Sequence, residues 1–155
     1  MPATATLDTP VAALGPRLAA QLDALPGARR FNAAQREALH RHAFAALASG
    51  DFARARKAYE ALIVYSGSDS RALRGAAAAA HALEDYASAL LYWTMVSVLD
   101  QAPPDASFYA ARCQAMLGQL AEATQAFEWV AADPRADATL RGQAAQMAAL
   151  LQQRR

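Results

Sequence analysis

The chain has 155 residues, 55% of them hydrophobic and 19% charged, with a net charge of +1. That is one domain's worth of sequence with enough apolar material for a core, and the near-neutral balance excludes the electrostatic footprint of a nucleic-acid-binding protein. A single cysteine, Cys113, excludes an internal disulfide and fits a reducing compartment. Alanine contributes 44 residues, which favours helix because alanine loses no side-chain entropy there. The N-terminal stretch carries Asp8 and Asp23 and has no charged start followed by an apolar run, so no secretory signal is expected. The longest uncharged apolar run, residues 86–99, is too short to span a bilayer and reads as a buried helix. These features predict a soluble cytoplasmic protein without stable membrane insertion.

Residues 1–8 are Thr- and Ala-rich and are expected to be disordered. Asp8 or Thr9 is placed to cap a helix with Pro10 in its first turn. Val11, Leu14, Leu18, Leu22 and Leu25 recur at spacings of three and four, the stripe of an amphipathic helix. Gly15-Pro16 predicts a kink or a late start near Pro16, and Pro26-Gly27 ends the segment. Helices follow over about 33–49, capped by Asn32, and 53–65, with a turn at Gly50-Asp51. The next pair begins at Asp69 or Ser70 as cap and turns at Glu84-Asp85; its second helix carries Leu90, Leu91, Trp93 and Met95. A third pair opens at Pro103-Pro104-Asp105, turns at Gly118-Gln119 and stops at Asp133-Pro134, and a last helix covers about 138–152. Arg54, Arg56 and Lys57 read as a solvated outer face.

These pairs repeat with a period of 34 residues. Phe52, Tyr86 and Leu120 share one register; so do Ala43, Ala77 and Ala111, Ala55, Ala89 and Ala123, Tyr59, Trp93 and Phe127, and Leu62, Val96 and Val130. A fixed 34-residue period of small and aromatic positions is the pattern of tetratricopeptide (TPR) helix pairs. The predicted fold is all-α: three tandem TPR pairs (about 36–69, 70–103 and 104–137) in a right-handed superhelix, with an N-terminal helix in residues 1–30 and a capping helix over 138–152. The cap is needed because a terminal repeat would otherwise leave an apolar face in water. Alanine suits the places where two backbones approach, and the aromatic at 59, 93 or 127 fills the space between one pair and the next. Two departures from the TPR consensus stand out: alanine replaces the usual first-helix glycine, and the closing proline is missing from repeats one and two, where Gly67 and Gln101 stand.

First helices of TPR pairs line a concave face, which here predicts Glu37, His40, Phe44 and Leu47, then Arg71, Arg74, Ala78 and His81, then Asp105, Phe108, Arg112 and Ala115. The set mixes apolar pockets (Phe44, Leu47, Phe108 and the alanines) with rim donors (Arg71, Arg74, Arg112), which suits an extended peptide with spaced apolar or proline anchors. The lysines and asparagines of a carboxylate clamp are missing. His40 and His42 lie two apart on different helix faces and make no metal pair. His81 has no sequence-local catalytic partner, Cys113 sits among alanines as a buried structural thiol, and no glycine-rich phosphate loop occurs. No enzyme, cofactor or metal site is predicted.

Several stretches carry a further likeness, although repeat consensus alone explains several of them. They run from Ala43-Phe44 and Ser49-Gly50-Asp51-Phe52 through Tyr59-Glu60-Ala61-Leu62 to Asp69-Ser70-Arg71. Further on come Asp85-Tyr86-Ala87-Ser88-Ala89, Phe108-Tyr109-Ala110-Ala111-Arg112-Cys113 and Gly118-Gln119-Leu120-Ala121-Glu122-Ala123. Asp69-Ser70-Arg71 and the Ala-Ala-x-Cys at 110–113 are the more specific, since no packing rule demands them. Over about 36–132 the chain resembles the class II chaperones of bacterial type III secretion, the SycD/LcrH/IpgC type. The resemblance implies a small cytoplasmic chaperone that holds a secreted hydrophobic translocator as an extended segment in the concave groove. It also implies a homodimer contact through N-terminal helices, carried here by Val11, Leu14, Leu18, Leu22 and Leu25. The same stripe equally suits a client contact or a strap packed on the array. Two other readings of the groove stand beside the translocator chaperone: a co-chaperone for a needle subunit or other small secretion substrate, and a general TPR interaction scaffold.

Overall fold

The computed structural model describes residues 13–28 and 30–153, so Val11, the Asp8/Thr9 cap with Pro10, and the expected disorder of residues 1–8 lie outside the described residues. Eight helices and no strand occur among the described residues: α1 (Leu14–Asp23), α2 (Ala33–Ala48), α3 (Phe52–Ser66), α4 (Ser70–Ala82), α5 (Tyr86–Leu99), α6 (Pro104–Met116), α7 (Leu120–Ala132) and α8 (Ala138–Gln152). Their starts are written in side chains. Asn32 accepts the Gln35 amide while Gln35 accepts the Asn32 amide, both at 2.9 Å, a reciprocal capping box. Asp51, Asp69, Asp85 and Asp137 cap α3, α4, α5 and α8, each accepting the amide three residues on.

Consecutive helices pack in antiparallel pairs, and the core divides into three clusters. Tyr59 belongs to the first (α2–α4), Trp93 to the second (α4–α6) and Phe127 to the third (α6–α8), so one repeat aromatic serves each step of the array. Ala43, Ala55, Ala77, Ala89, Ala111 and Ala123 are all at 0% exposure, where any larger side chain would push two backbones apart. Arg56 departs from its sequence reading. Its guanidinium donates to Glu60 and Asp85, both at 2.8 Å, and to the Ser88 hydroxyl, while the Tyr92 hydroxyl donates to Glu60. The network ties α3 to α5. Ser88 and the Arg56 guanidinium hold the Asp85 carboxyl down to about 2, and burial with the Glu60 bond pushes the Tyr92 hydroxyl up to about 12.

The closing prolines are missing for a conformational reason. Gly67 has φ +72° and Gln101 φ +58°, left-handed values that a proline ring, fixed near −65°, cannot take. A Cβ at Gly67 would also strike the Asp23 carboxylate, which accepts the Ser68 amide (2.9 Å) and hydroxyl (3.1 Å) and so pins the end of α1 to this turn. After Gln101, Ala102 is left-handed too, and Arg135, in the same 34-residue register as Gly67 and Gln101, donates to both carbonyls.

Among the described residues helix α1 begins at Leu14, next to the Gly15-Pro16 pair. Pro16 falls in its first turn, where a missing N–H forfeits no intrahelical bond. α1 packs on α5 and α3 of its own chain. Gly15 makes that approach: a Cβ there would lie 2.6 Å from the Val98 carbonyl oxygen. Of the leucine stripe, Leu22 is buried, Leu18 half-buried and Leu14 exposed, while Leu25 falls beyond the helix in the following turn and is also exposed.

Cys113 is fully buried in the second cluster, and burial pushes its thiol up to about 11. The folded protein should therefore react with a disulfide reagent at pH 8 at least about a hundredfold more slowly than the urea-unfolded chain, because so little thiolate forms and none is accessible. Equal rates in the two states would contradict this placement.

Candidate peptide-binding groove

The first helices α2, α4 and α6 carry the groove set, and the structure brings together its upstream half. Glu37, His40 and Phe44 of α2 and Arg71 of α4 line one cavity of about 250 Å³ with Arg41 and Tyr59. Phe44 is 66% exposed, the most open large apolar side chain among the described residues. His40 is the opposite: 5% exposed, with Nε2 2.6 Å from the Asp69 Oδ2. Tyr59 reaches the cavity because position 75 is glycine and its ring lies directly over that backbone.

The rim donors are not free. Arg71 pairs with Glu37 at 2.7 Å, and the guanidinium holds the Glu37 carboxyl below the usual range. Arg74 pairs with Asp105 and, at 3.4 Å, with Asp100. The predicted set thus contains its own counter-ions: position two of one repeat neutralises a neighbour. A client must compete for these arginines or accept a groove of low net charge.

The downstream half differs more. Phe108 is 6% exposed, edge-on to Phe127 at 5.3 Å, and is a core residue of the third cluster rather than an open groove anchor. Leu47 and Ala115 are half-buried against the first and third clusters, and Ala78 is half-buried on α4. His81 is half-buried, edge-on to Tyr86 at 5.3 Å; burial and then the Arg112 charge lower its pKa. Arg112 sits over the Tyr109 ring, 5.8 Å from its centroid. Tyr109, not Phe108, is the open aromatic here, stacked on Trp93 at 5.0 Å, and Met116 nearby on α6 is 59% exposed.

Residue-by-residue reading therefore missed Arg41, Tyr59, Tyr109 and Met116. Arg41, Gly75 and Tyr109 share a 34-residue register one residue beyond His40, Arg74 and Phe108, a signal that was there to be used. The largest of the described cavities, about 790 Å³, lies elsewhere, between α1 and the end of α5.

No family model and no curated protein matches the sequence. Solved structures do. PcrH, a Pseudomonas aeruginosa protein, in complex with the chaperone binding region of PopD is 27% identical, with TM-score 0.74 over 81% of this chain and 97% of that one. The type III secretion chaperone SycD of Yersinia enterocolitica, in complex with a peptide of the translocator YopD, is 27% identical, with TM-score 0.72 over 79% and 96%. A type III secretion complex from Aeromonas hydrophila is 25% identical, with TM-score 0.72 over 79% and 84%. The fold is that of the type III secretion translocator chaperones.

Proposed function

We infer that this chain is a class II chaperone of bacterial type III secretion, which holds a hydrophobic translocator in the cytoplasm before export. The observation that carries the reading is the match to PcrH over nearly all of that chain, in a complex where PcrH holds the chaperone binding region of PopD. The physical logic is simple. A client with membrane-inserting segments exposes apolar surface that aggregates in water, and masking part of it keeps the client soluble and unfolded. No helix among the described residues is long and apolar enough to cross a membrane. Binding and release are equilibrium steps, with no catalytic chemistry and no cofactor.

The client segment lies extended along α2, α4 and α6. Phe44 and Tyr109 offer apolar contact, and Glu37–Arg71 and Arg74–Asp105 form a polar margin. Residues 31–155 are the client-binding domain. Residues 1–30 are an accessory segment whose α1 straps the array and leaves Leu14 and Leu25 exposed for a second copy or a client.

Affinity capture from the native host, read by mass spectrometry, tests the function; recovery of no secreted hydrophobic protein would sink it. Phe44→Ala tests the groove. Because Phe44 is so exposed, its truncation should leave the unfolding midpoint within the small range of surface changes while weakening client binding about tenfold. Undiminished binding by the folded variant would move the contact off α2.

A further inference from the structure

His40 borders the cavity between α2 and α4 yet is almost wholly buried, and it is hydrogen-bonded on one side only. Its Nε2 meets Asp69 Oδ2 at 2.6 Å, while Asp69 Oδ1 accepts the Ala72 amide at 3.2 Å as the cap of α4. A carboxylate has no proton to give, so Nε2 carries the hydrogen, and in the neutral tautomer with that hydrogen Nδ1 is an acceptor. No group among the described residues donates to that nitrogen. That nitrogen is not sealed in, since the Ser66 hydroxyl is the one buried side-chain polar atom without a partner among the described residues, so a ligand donor would take the place of water there.

We propose that His40 Nδ1 accepts a backbone N–H of the bound client segment, and that Asp69 is the positioning residue that fixes the ring tautomer. The inference rests on reading this cavity as part of the client site. An extended segment turns its amides toward one side at every second residue, and main-chain hydrogen bonds supply affinity whatever the side chains. Phe44, one helical turn beyond His40, flanks the same cavity and gives the neighbouring client side chain its apolar contact. The pairing also gives Asp69 a purpose that repeat packing does not. In the 34-residue register His40 becomes Arg74 and then Phe108, and Asp69 becomes Pro103, so the pair exists once in the array, at the boundary of repeats one and two.

Asp69→Asn is the discriminating variant. Its Oδ1 still caps α4, but its amide now donates to Nε2, which forces the ring hydrogen onto Nδ1 and turns the acceptor into a donor in a cavity of unchanged shape. The probe is a synthetic peptide of the PopD chaperone binding region, with copies in which each amide in turn is replaced by an ester. Calorimetry reads affinity, His40 ¹⁵N shifts read the tautomer, and thermal melting reads the fold. Asp69→Asn should bind about tenfold more weakly. One ester position should weaken the unaltered chain about tenfold and leave Asp69→Asn unaffected. Full affinity in a chain with an inverted tautomer, or the same ester losses in both chains, overturns the proposal while leaving the client reading intact. If the unaltered chain binds none of these peptides, the client reading falls and takes this one with it. Should Asp69→Asn not fold, the Nδ1 shift of the unaltered chain decides. It should move on adding the all-amide peptide and stay still with the ester at the sensitive position; no movement with a peptide that binds overturns the proposal.

Discussion

Gly75→Ala should destabilise the protein by roughly 1–3 kcal/mol, in the direction opposite to helix propensity. Gly75 lies in the middle of α4, where alanine would ordinarily gain about 1 kcal/mol over glycine. A Cβ there falls inside the Tyr59 ring, against Cε1, Cζ and Cε2. That ring cannot simply swing away. Tyr59 is 4% exposed and is packed in the first cluster with Ala43, Ala55 and Leu62. The overpacking therefore outweighs the propensity gain, and the strain is relieved by driving Tyr59 toward the cavity it lines. Two losses should appear together, a lower urea midpoint and weaker client capture. Tyr59→Leu in the same chain should recover part of the stability, since the two positions are coupled by direct contact. An alanine variant as stable as the parent, with client binding intact, would show that α4 can shift at no cost.

The same glycine shows how far the sequence could be read. The period alone placed every helix pair, because small residues at 43/55, 77/89 and 111/123 and aromatics at 59, 93 and 127 do the same packing job each time. The caps at Asn32 and Asp69 were equally legible, since they act on amides only three residues away, while Asp51 and Asp85, read as turn residues, cap their helices in the same way. Periodicity fails where repeats stop being equivalent. Phe108 occupies the register of His40 and Arg74, but it faces alanines at 111 and 123 and the α8 cap, and the space there draws it into the core. Tyr59 looks like pure core by register, yet glycine at 75 lets it reach the cavity. The ion pairs of Arg56 with Asp85, Arg71 with Glu37 and Arg74 with Asp105 join residues 29 to 34 apart, and no local pattern ranks one such partner over another. Gly67 and Gln101 looked like lapses from consensus; their left-handed backbone excludes the proline that consensus would put there.

Phe127→Ala should be the most damaging single truncation, at about 3–5 kcal/mol. Phe127 is fully buried, the largest side chain that is, and stands edge-on to Phe108. The upper end of the range applies because of its surroundings. Ala111, Ala123, Ala144 and Ala148 make up half of its cluster, and alanines have no reach with which to fill the void. The damage should also be local. In an array each unit is held by its neighbours, and Phe127 lies in the one cluster that joins α6, α7 and α8. Hydrogen exchange should accordingly show α6, α7 and α8 losing protection first, while α2 to α4 and the His40–Asp69 pair stay closed. A variant that keeps most of its stability would mean that the cluster collapses around the gap. One that loses protection evenly from α2 to α8 would mean that the array melts as a single unit, with the groove no more stable than its cap.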